Sequence, residues 1–138
     1  MIIVFKKEGT GMTHHSNQRD AILRELSGRK DHPTAESLYF SLKNAFPAMS
    51  LATVYRNLSL FEEEKKIIRI GSGRTARYDA DLSDHQHLVC RICGSVTDIP
   101  LKCAELCGAV NAQTGAVAEK CRVIFEGICA DCRKAAVK

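Results

Sequence analysis

The chain has 138 residues, 45% of them apolar and 26% charged, with a formal net charge of +4. That is the composition of a soluble globular protein of one domain or two small ones, and it excludes a disordered polymer. No apolar run approaches the roughly eighteen residues that a membrane span requires, and the apolar start Ile2-Ile3-Val4-Phe5 is too short for the core of a secretory signal.

Met12 offers a second start, which would make residues 1–11 an upstream extension. The charge is thinly spread. Residues 12–81 carry eleven Lys/Arg against nine Asp/Glu, and residues 82–138 carry seven against six. Net charge alone therefore does not announce nucleic-acid binding. Seven cysteines in a chain without an export signal suggest a reducing cytoplasm, where thiols hold metal more often than they pair. An odd number also argues against a closed disulfide framework.

Ser16 or Asn17 is expected to cap a first helix, whose Ile22, Leu23 and Leu26 form one apolar stripe before Gly28. Asp31-His32-Pro33-Thr34 is a turn. A second helix follows with Ala35, Leu38, Tyr39, Leu42 and Ala45-Phe46 at helical spacing, and Pro47 ends it. Ser50 caps a third helix that buries Leu51, Val54, Leu58 and Phe61. Its other face presents Ala52, Thr53, Arg56, Ser59 and Glu63, with Tyr55 at the margin. Small residues beside one arginine suit a recognition helix that approaches base edges, and they equally suit an ordinary surface helix.

Ile67-Ile68-Arg69-Ile70 and Ala76-Arg77-Tyr78-Asp79 read as two short strands joined by the glycine-rich tip Gly71-Ser72-Gly73-Arg74-Thr75. Lys65 to Arg77 holds five basic residues and no acidic one. Three short helices and then a basic hairpin is the order of a winged helix, with the wing reaching phosphates. Arg74 stands at its tip. The polar stretch 80–84 reads as a hinge between a DNA-binding domain at 1–79 and a second domain at 85–138.

That second domain reads as a small α/β unit. His85 to Cys90 alternates like a strand, Ser95 to Ile99 is a second strand, and Pro100 opens a helix bearing Cys103 and Cys107. Cys121 to Ile128 is a third strand. Its short core and exposed edges suggest dimerisation. Cys90-Arg91-Ile92-Cys93 and Cys129-Ala130-Asp131-Cys132 are two C-x-x-C pairs with thirty-five residues between them. Such pairs place four thiolates about 2.3 Å from one structural zinc, and Gly94 suits the turn after the first. Redox dithiols or two disulfides are the alternatives. A zinc-containing thiol redox enzyme would leave the basic hairpin unexplained.

His85 and His87 lie two apart on a strand and so share a face. With carboxylates such as Asp79 and Asp98 they would make a mixed N/O set suited to Fe(II) or Mn(II). They also suit plain surface histidines. Cys103 and Cys107, four apart on one helix face, fit buried small apolar positions, with a thiol sensor as the sharper alternative.

The segments Asn17-Gln18-Arg19, His32-Pro33-Thr34-Ala35-Glu36, Leu51 to Leu58, Arg77-Tyr78-Asp79, Asp84 to Cys90, Cys93-Gly94 and Gly127-Ile128-Cys129 together resemble the ferric uptake regulator family of metal-dependent repressors. The resemblance runs from Ser16 to Cys132 and is nearest to the peroxide-sensing branch. It implies an α+β fold, with an N-terminal winged-helix domain and a C-terminal dimerisation domain. It implies a homodimer on palindromic double-stranded DNA, with no membrane partner and no enzymatic activity. It also implies a regulatory Fe(II) or Mn(II) held by His32, Asp79, His85, His87 and Asp98, beside structural zinc at Cys90, Cys93, Cys129 and Cys132. Aspartates at 79 and 98 resemble the peroxide-sensing type, whereas Arg56 resembles the recognition helix of iron-responsive repressors, the alternative function within the family. A further site of some relatives maps to Asp84, Gln86, Glu105 and Cys121, where glutamine is a poor ligand, so this site is expected to be absent or altered.

Overall fold

The computed structural model describes residues 14–136; the proposed extension 1–11 lies outside them. Three helices come first: α1 (His14–Ser27), α2 (Ala35–Leu42) and α3 (Leu51–Glu63). Each buries residues spaced three or four apart, which is what a helix needs to turn one stripe inward. Ile22 and Leu26 come from α1, Leu38 and Leu42 from α2, and Val54, Leu58 and Phe61 from α3. Burial of each such side chain stabilises by about 1.5–3 kcal/mol. Thr34 caps α2 by accepting from the Ser37 amide at 3.1 Å, and Ser50 caps α3 by accepting from the Thr53 amide at 3.1 Å. Arg19 ties α1 to the end of α3 through a two-pronged bond to Glu64 at 2.8 and 2.6 Å, and its guanidinium lies 4.4 Å from the centre of the Phe61 ring.

Strands β1 (Ile68–Ile70) and β2 (Arg77–Asp79) pair antiparallel, with Ile68 opposite Asp79. The connection between them is more structured than a plain loop: Gly73 to Thr75 form a single 3₁₀ turn. Gly71 and Gly73 take the left-handed φ values of +86° and +65° that reverse the chain there. The expected three helices and wing are thus present.

The second half is a three-stranded sheet in the order β4-β3-β5. β3 (Gln86–Cys90) is central, β4 (Val96–Ile99) runs antiparallel beside it, and β5 (Ile124–Gly127) lies parallel on its other side. Parallel pairing requires a long crossover, and α4 (Cys103–Thr114) supplies it. A final helix, α5 (Ala130–Ala136), closes the described chain.

Several local expectations need correcting. Ser16 and Asn17 lie inside α1, which already begins at His14. α2 stops at Leu42, and Ala45-Phe46 follow in a turn from which Phe46 still packs on the core. Pro100 does not open α4. The helix begins at Cys103, whose amide donates to both Asp84 carboxylate oxygens at 3.1 Å, so a side chain from another segment occupies the helix start. β5 is four residues long rather than eight, and Cys132 sits in the first turn of a helix, α5, that the sequence did not announce.

Candidate metal centres

The four C-x-x-C cysteines converge although they come from three elements. Cys90 ends β3, Cys93 lies in the knuckle after it, Cys129 follows β5, and Cys132 is on α5. Their sulfurs all lie within 4.8 Å of one another, with Cys93 and Cys129 at 3.8 Å. A tetrahedral zinc with Zn–S near 2.3 Å separates its sulfurs by about 3.8 Å, so the donor set fits that ion. The knuckle is shaped by the Gly94 amide donating to the Cys90 carbonyl at 2.9 Å, with Gly94 at φ +74°. Backbone amides of Cys93 and Cys129 lower the Cys90 thiol to about 6, whereas the hydrogen bond with Cys129 pushes Cys132 up to about 12. Four crowded thiols do not all ionise unless a cation shares the charge.

The second cluster spans the two halves of the molecule. Asp79 ends β2, His85 and His87 bracket the start of β3, and Asp98 faces His87 from β4. His32 arrives from the turn before α2, where it takes φ +50° ahead of Pro33. That conformation is strained by roughly 1–3 kcal/mol for a residue with a β-carbon. Three contacts hold it against β2: Arg77 donates to the His32 carbonyl at 3.1 Å, the Tyr78 amide donates to the Pro33 carbonyl at 3.1 Å, and Thr34 bridges Arg77.

All three Nε2 atoms then face the same two carboxylate oxygens. Asp79 Oδ2 is 3.3 Å from His32, 3.0 Å from His85 and 2.9 Å from His87. Asp98 Oδ1 is 2.8, 3.4 and 3.4 Å from the same atoms. His32, Asp79, His87 and Asp98 form the tightest group, with His85 reaching both carboxylates from one side. A first-row divalent ion about 2.1 Å from its ligands sets neighbouring donors about 3 Å apart, so this donor set fits as well.

Burial would push the Asp79 carboxyl up, but hydrogen bonds from His32, His87, the Asp81 amide and His85 hold it far below the usual carboxylate range. His32 is raised by its hydrogen bond to Asp79, with the Asp98 charge assisting against burial. His85 is raised despite burial, through Asp79 and the Ser83 carbonyl.

The remaining positions sort differently. Ala52 and Arg56 are exposed on α3, Thr53 is half-exposed, and Arg74 stands 85% exposed at the wing tip, 3.7 Å from Glu36. Tyr55 packs partly against the core and its hydroxyl is buried without a hydrogen-bond partner among the described residues. Asp84, Gln86 and Cys121 are each engaged by other partners. Asp84 holds the α4 amide, and Gln86 donates to the Leu101 carbonyl at 3.3 Å and accepts from the Val123 amide at 2.7 Å. Cys121 is bonded to Cys103, so Cys103 is not simply a buried apolar residue, although Cys107 is buried as expected. No sequence signal pointed to that pairing, because the two cysteines lie on different elements.

Three helices and a wing, joined to a small sheet that carries a thiol cluster and a histidine–aspartate cluster, define a winged-helix protein with two metal-type sites. The ferric uptake regulator family model matches residues 10–125, and the chain belongs to that family of regulators. It is similar to the peroxide operon regulator of Bacillus subtilis (strain 168), with 36% identity over 119 residues, 85% of this chain and 82% of that protein. It is 35% identical over 98 residues to the peroxide-responsive repressor PerR of Staphylococcus epidermidis, covering 70% of this chain and 63% of that one. The crystal structure of the Campylobacter jejuni peroxide stress regulator superposes with a TM-score of 0.70 at 28% identity, covering 86% of this chain and 90% of that chain.

Proposed function

We propose that the protein is a homodimeric, metal-dependent transcriptional repressor that responds to peroxide in the cytoplasm. The observation that carries this reading is the convergence of His32, Asp79, His85, His87 and Asp98, contributed by both halves of the molecule. The similarity to peroxide-responsive regulators of two organisms supports the branch. No described helix is long and apolar enough to cross a membrane.

In this reading residues 1–79 form the DNA-binding head, 80–84 the hinge, and 85–138 the dimerisation domain. Cys90, Cys93, Cys129 and Cys132 hold structural zinc. The histidine–aspartate cluster would take Fe(II) or Mn(II), held by His32, Asp79, His85, His87 and Asp98, and a ferrous ion there would supply a reductant for hydrogen peroxide. His32 reaches across from the head, so its bond to the cluster fixes the head relative to the sheet. A ligand set that is complete only in one arrangement shifts the population toward that arrangement by its differential affinity. Two heads at fixed separation read a palindromic operator, with the N-terminal part of α3 (Ala52, Thr53, Tyr55, Arg56) toward the bases and Arg74 toward a phosphate. The apolar side chains exposed around β5, Ile124, Phe125 and Ile128, supply a face for the second copy.

Iron-loaded protein exposed to hydrogen peroxide is expected to gain one oxygen on His32 or His85 by peptide mass spectrometry, and to lose operator binding in a gel shift. Unmodified histidines together with retained operator binding would sink the peroxide reading. Operator binding that tracks Fe(II) reversibly, with no added oxygen, would mark an iron-responsive repressor instead.

A further inference from the structure

Three cysteines belong to neither metal cluster. Cys103 starts α4, Cys107 lies one turn later, and Cys121 lies ahead of β5. Cys103 and Cys121 are joined as a disulfide with their α-carbons 5.5 Å apart, within the usual range for a bridge. The buried Cys107 sulfur lies 3.4 Å from that of Cys103.

We propose that Cys103 and Cys121 form a reversible disulfide, made by hydroperoxides and opened by dithiols, as a second oxidant-reactive site that shares no residue with the histidine–aspartate cluster, although His85 and His87 line the same cavity. The pair borders an open cavity of about 340 Å³, so small reagents reach it, while Cys107 does not line that cavity. Lys120 and Arg122 line it together with Asp84 and Glu119. Opposing charges of equal number leave no field to exclude a neutral oxidant. Disulfides in reducing compartments are characteristically transient and redox-sensing.

The chemistry balances with hydrogen peroxide as oxidant. The Cys121 thiolate attacks one peroxide oxygen, the O–O bond breaks, and the departing hydroxide takes a proton to become water. The Cys103 thiolate then attacks the sulfenic sulfur of Cys121, the S–S bond forms, and the S–O bond releases a second hydroxide, also protonated to water. Two electrons pass from the two sulfurs to the peroxide. A dithiol returns them by exchange and leaves as its own disulfide.

The bond also reaches the sheet. It joins the start of α4 to the segment before β5, and Gln86 already spans the same two segments through the Leu101 carbonyl and the Val123 amide. Gln86 lies between His85 and His87 on the chain. Oxidation therefore braces the start of β3, which His85 and His87 bracket.

The test uses zinc-loaded, full-length protein, reduced with dithiothreitol, freed of reductant and titrated with hydrogen peroxide. Free thiols are alkylated, and the protein is digested without reduction. The peptide linking Cys103 to Cys121 is expected to rise roughly tenfold with peroxide and to disappear with dithiothreitol, while zinc content stays constant. It should persist in Cys107→Ala and be absent from Cys121→Ser. Amide exchange over residues 86–90 is expected to slow in the oxidised form. Full alkylation of both cysteines after peroxide treatment would overturn the proposal, as would a linkage through Cys107 or a zinc-cluster cysteine. The wild-type result decides the matter even where a variant fails to fold.

Discussion

Asp79 carries more of the histidine–aspartate cluster than any other residue, because a single carboxylate oxygen receives three imidazole nitrogens at 2.9–3.3 Å. The group stays ionised despite its burial because those donors outweigh desolvation. Asp79→Asn removes the charge and one ligand oxygen, and Mn(II) affinity measured by calorimetry is expected to fall at least about 10–100-fold while zinc content is unchanged. Loss of both metals would mean that the clusters fold as one unit. Protons compete for the same site. With His32 and His85 raised, Mn(II) must displace protons from them, so affinity should climb as pH rises through their titration and fall below it. The metal-free protein should show the opposite trend. A histidine whose folded pKa is raised contributes stability in full below about 6.5, its unfolded value, and loses it as pH rises through the folded one. Melting curves of the metal-free protein between pH 5.5 and 8.5 check that sign. The sequence makes His85 and His87 visible through their spacing of two. Spacing hides His32, which the family resemblance alone pointed to, because it meets Asp98 from 66 positions away. Only the left-handed turn before Pro33 and its bonds to β2 bring that ring across.

Elements with strong periodicity and clear caps were legible, and α3 is the best example. Ser50 stands at its start as expected, and Val54, Leu58 and Phe61 face inward at spacings of four and three. Ser50→Ala is expected to lower stability by about 1 kcal/mol in urea unfolding, since the Thr53 amide loses its acceptor. Leu58→Ala, at a fully buried position, should cost about 2–5 kcal/mol by the same measurement. Equal effects of the two would mean that the core around α3 is looser than its burial indicates. Elements of the second half were harder to place. α5 was missed because Cys132 in its first turn read only as half of a C-x-x-C pair, although Ala130, Ala135 and Ala136 favour a helix and Asp131 and Arg133 suit its two ends. β5 reads as eight residues in sequence because Cys121 to Ile128 is rich in β-branched and aromatic side chains. Pairing with β3 extends only over Ile124 to Gly127. Tertiary partners set those limits, and they are invisible to local propensity.

On the scale of the whole molecule, stability is unevenly distributed. The buried apolar cluster is drawn entirely from residues between Ile22 and Tyr78. Beyond them, Cys90 and Cys107 are the buried apolar side chains among the described residues, while Val110, Val117, Ile124, Phe125 and Ile128 remain exposed. A sheet with so little interior needs other sources of stability. A zinc ion bound by four thiolates contributes about 10–16 kcal/mol in small zinc domains, far more than the few buried side chains here supply. In the proposed dimer, burial of the exposed apolar face by a second copy would add to this. Cys90→Ser should therefore release zinc, convert the dimer to monomer by light scattering, and abolish protection of the β3 and β5 amides in hydrogen exchange. The amides of α1 and α3 should stay protected, because their core is complete without the sheet. A metal-free Cys90→Ser protein that remained a dimer with a protected sheet would show that zinc is dispensable there. Phe125→Asp separates the two contributions. It leaves all four cysteines in place, so zinc should be retained while dimerisation weakens. That pattern would show that the thiol cluster forms within one chain and that the dimer is built upon it.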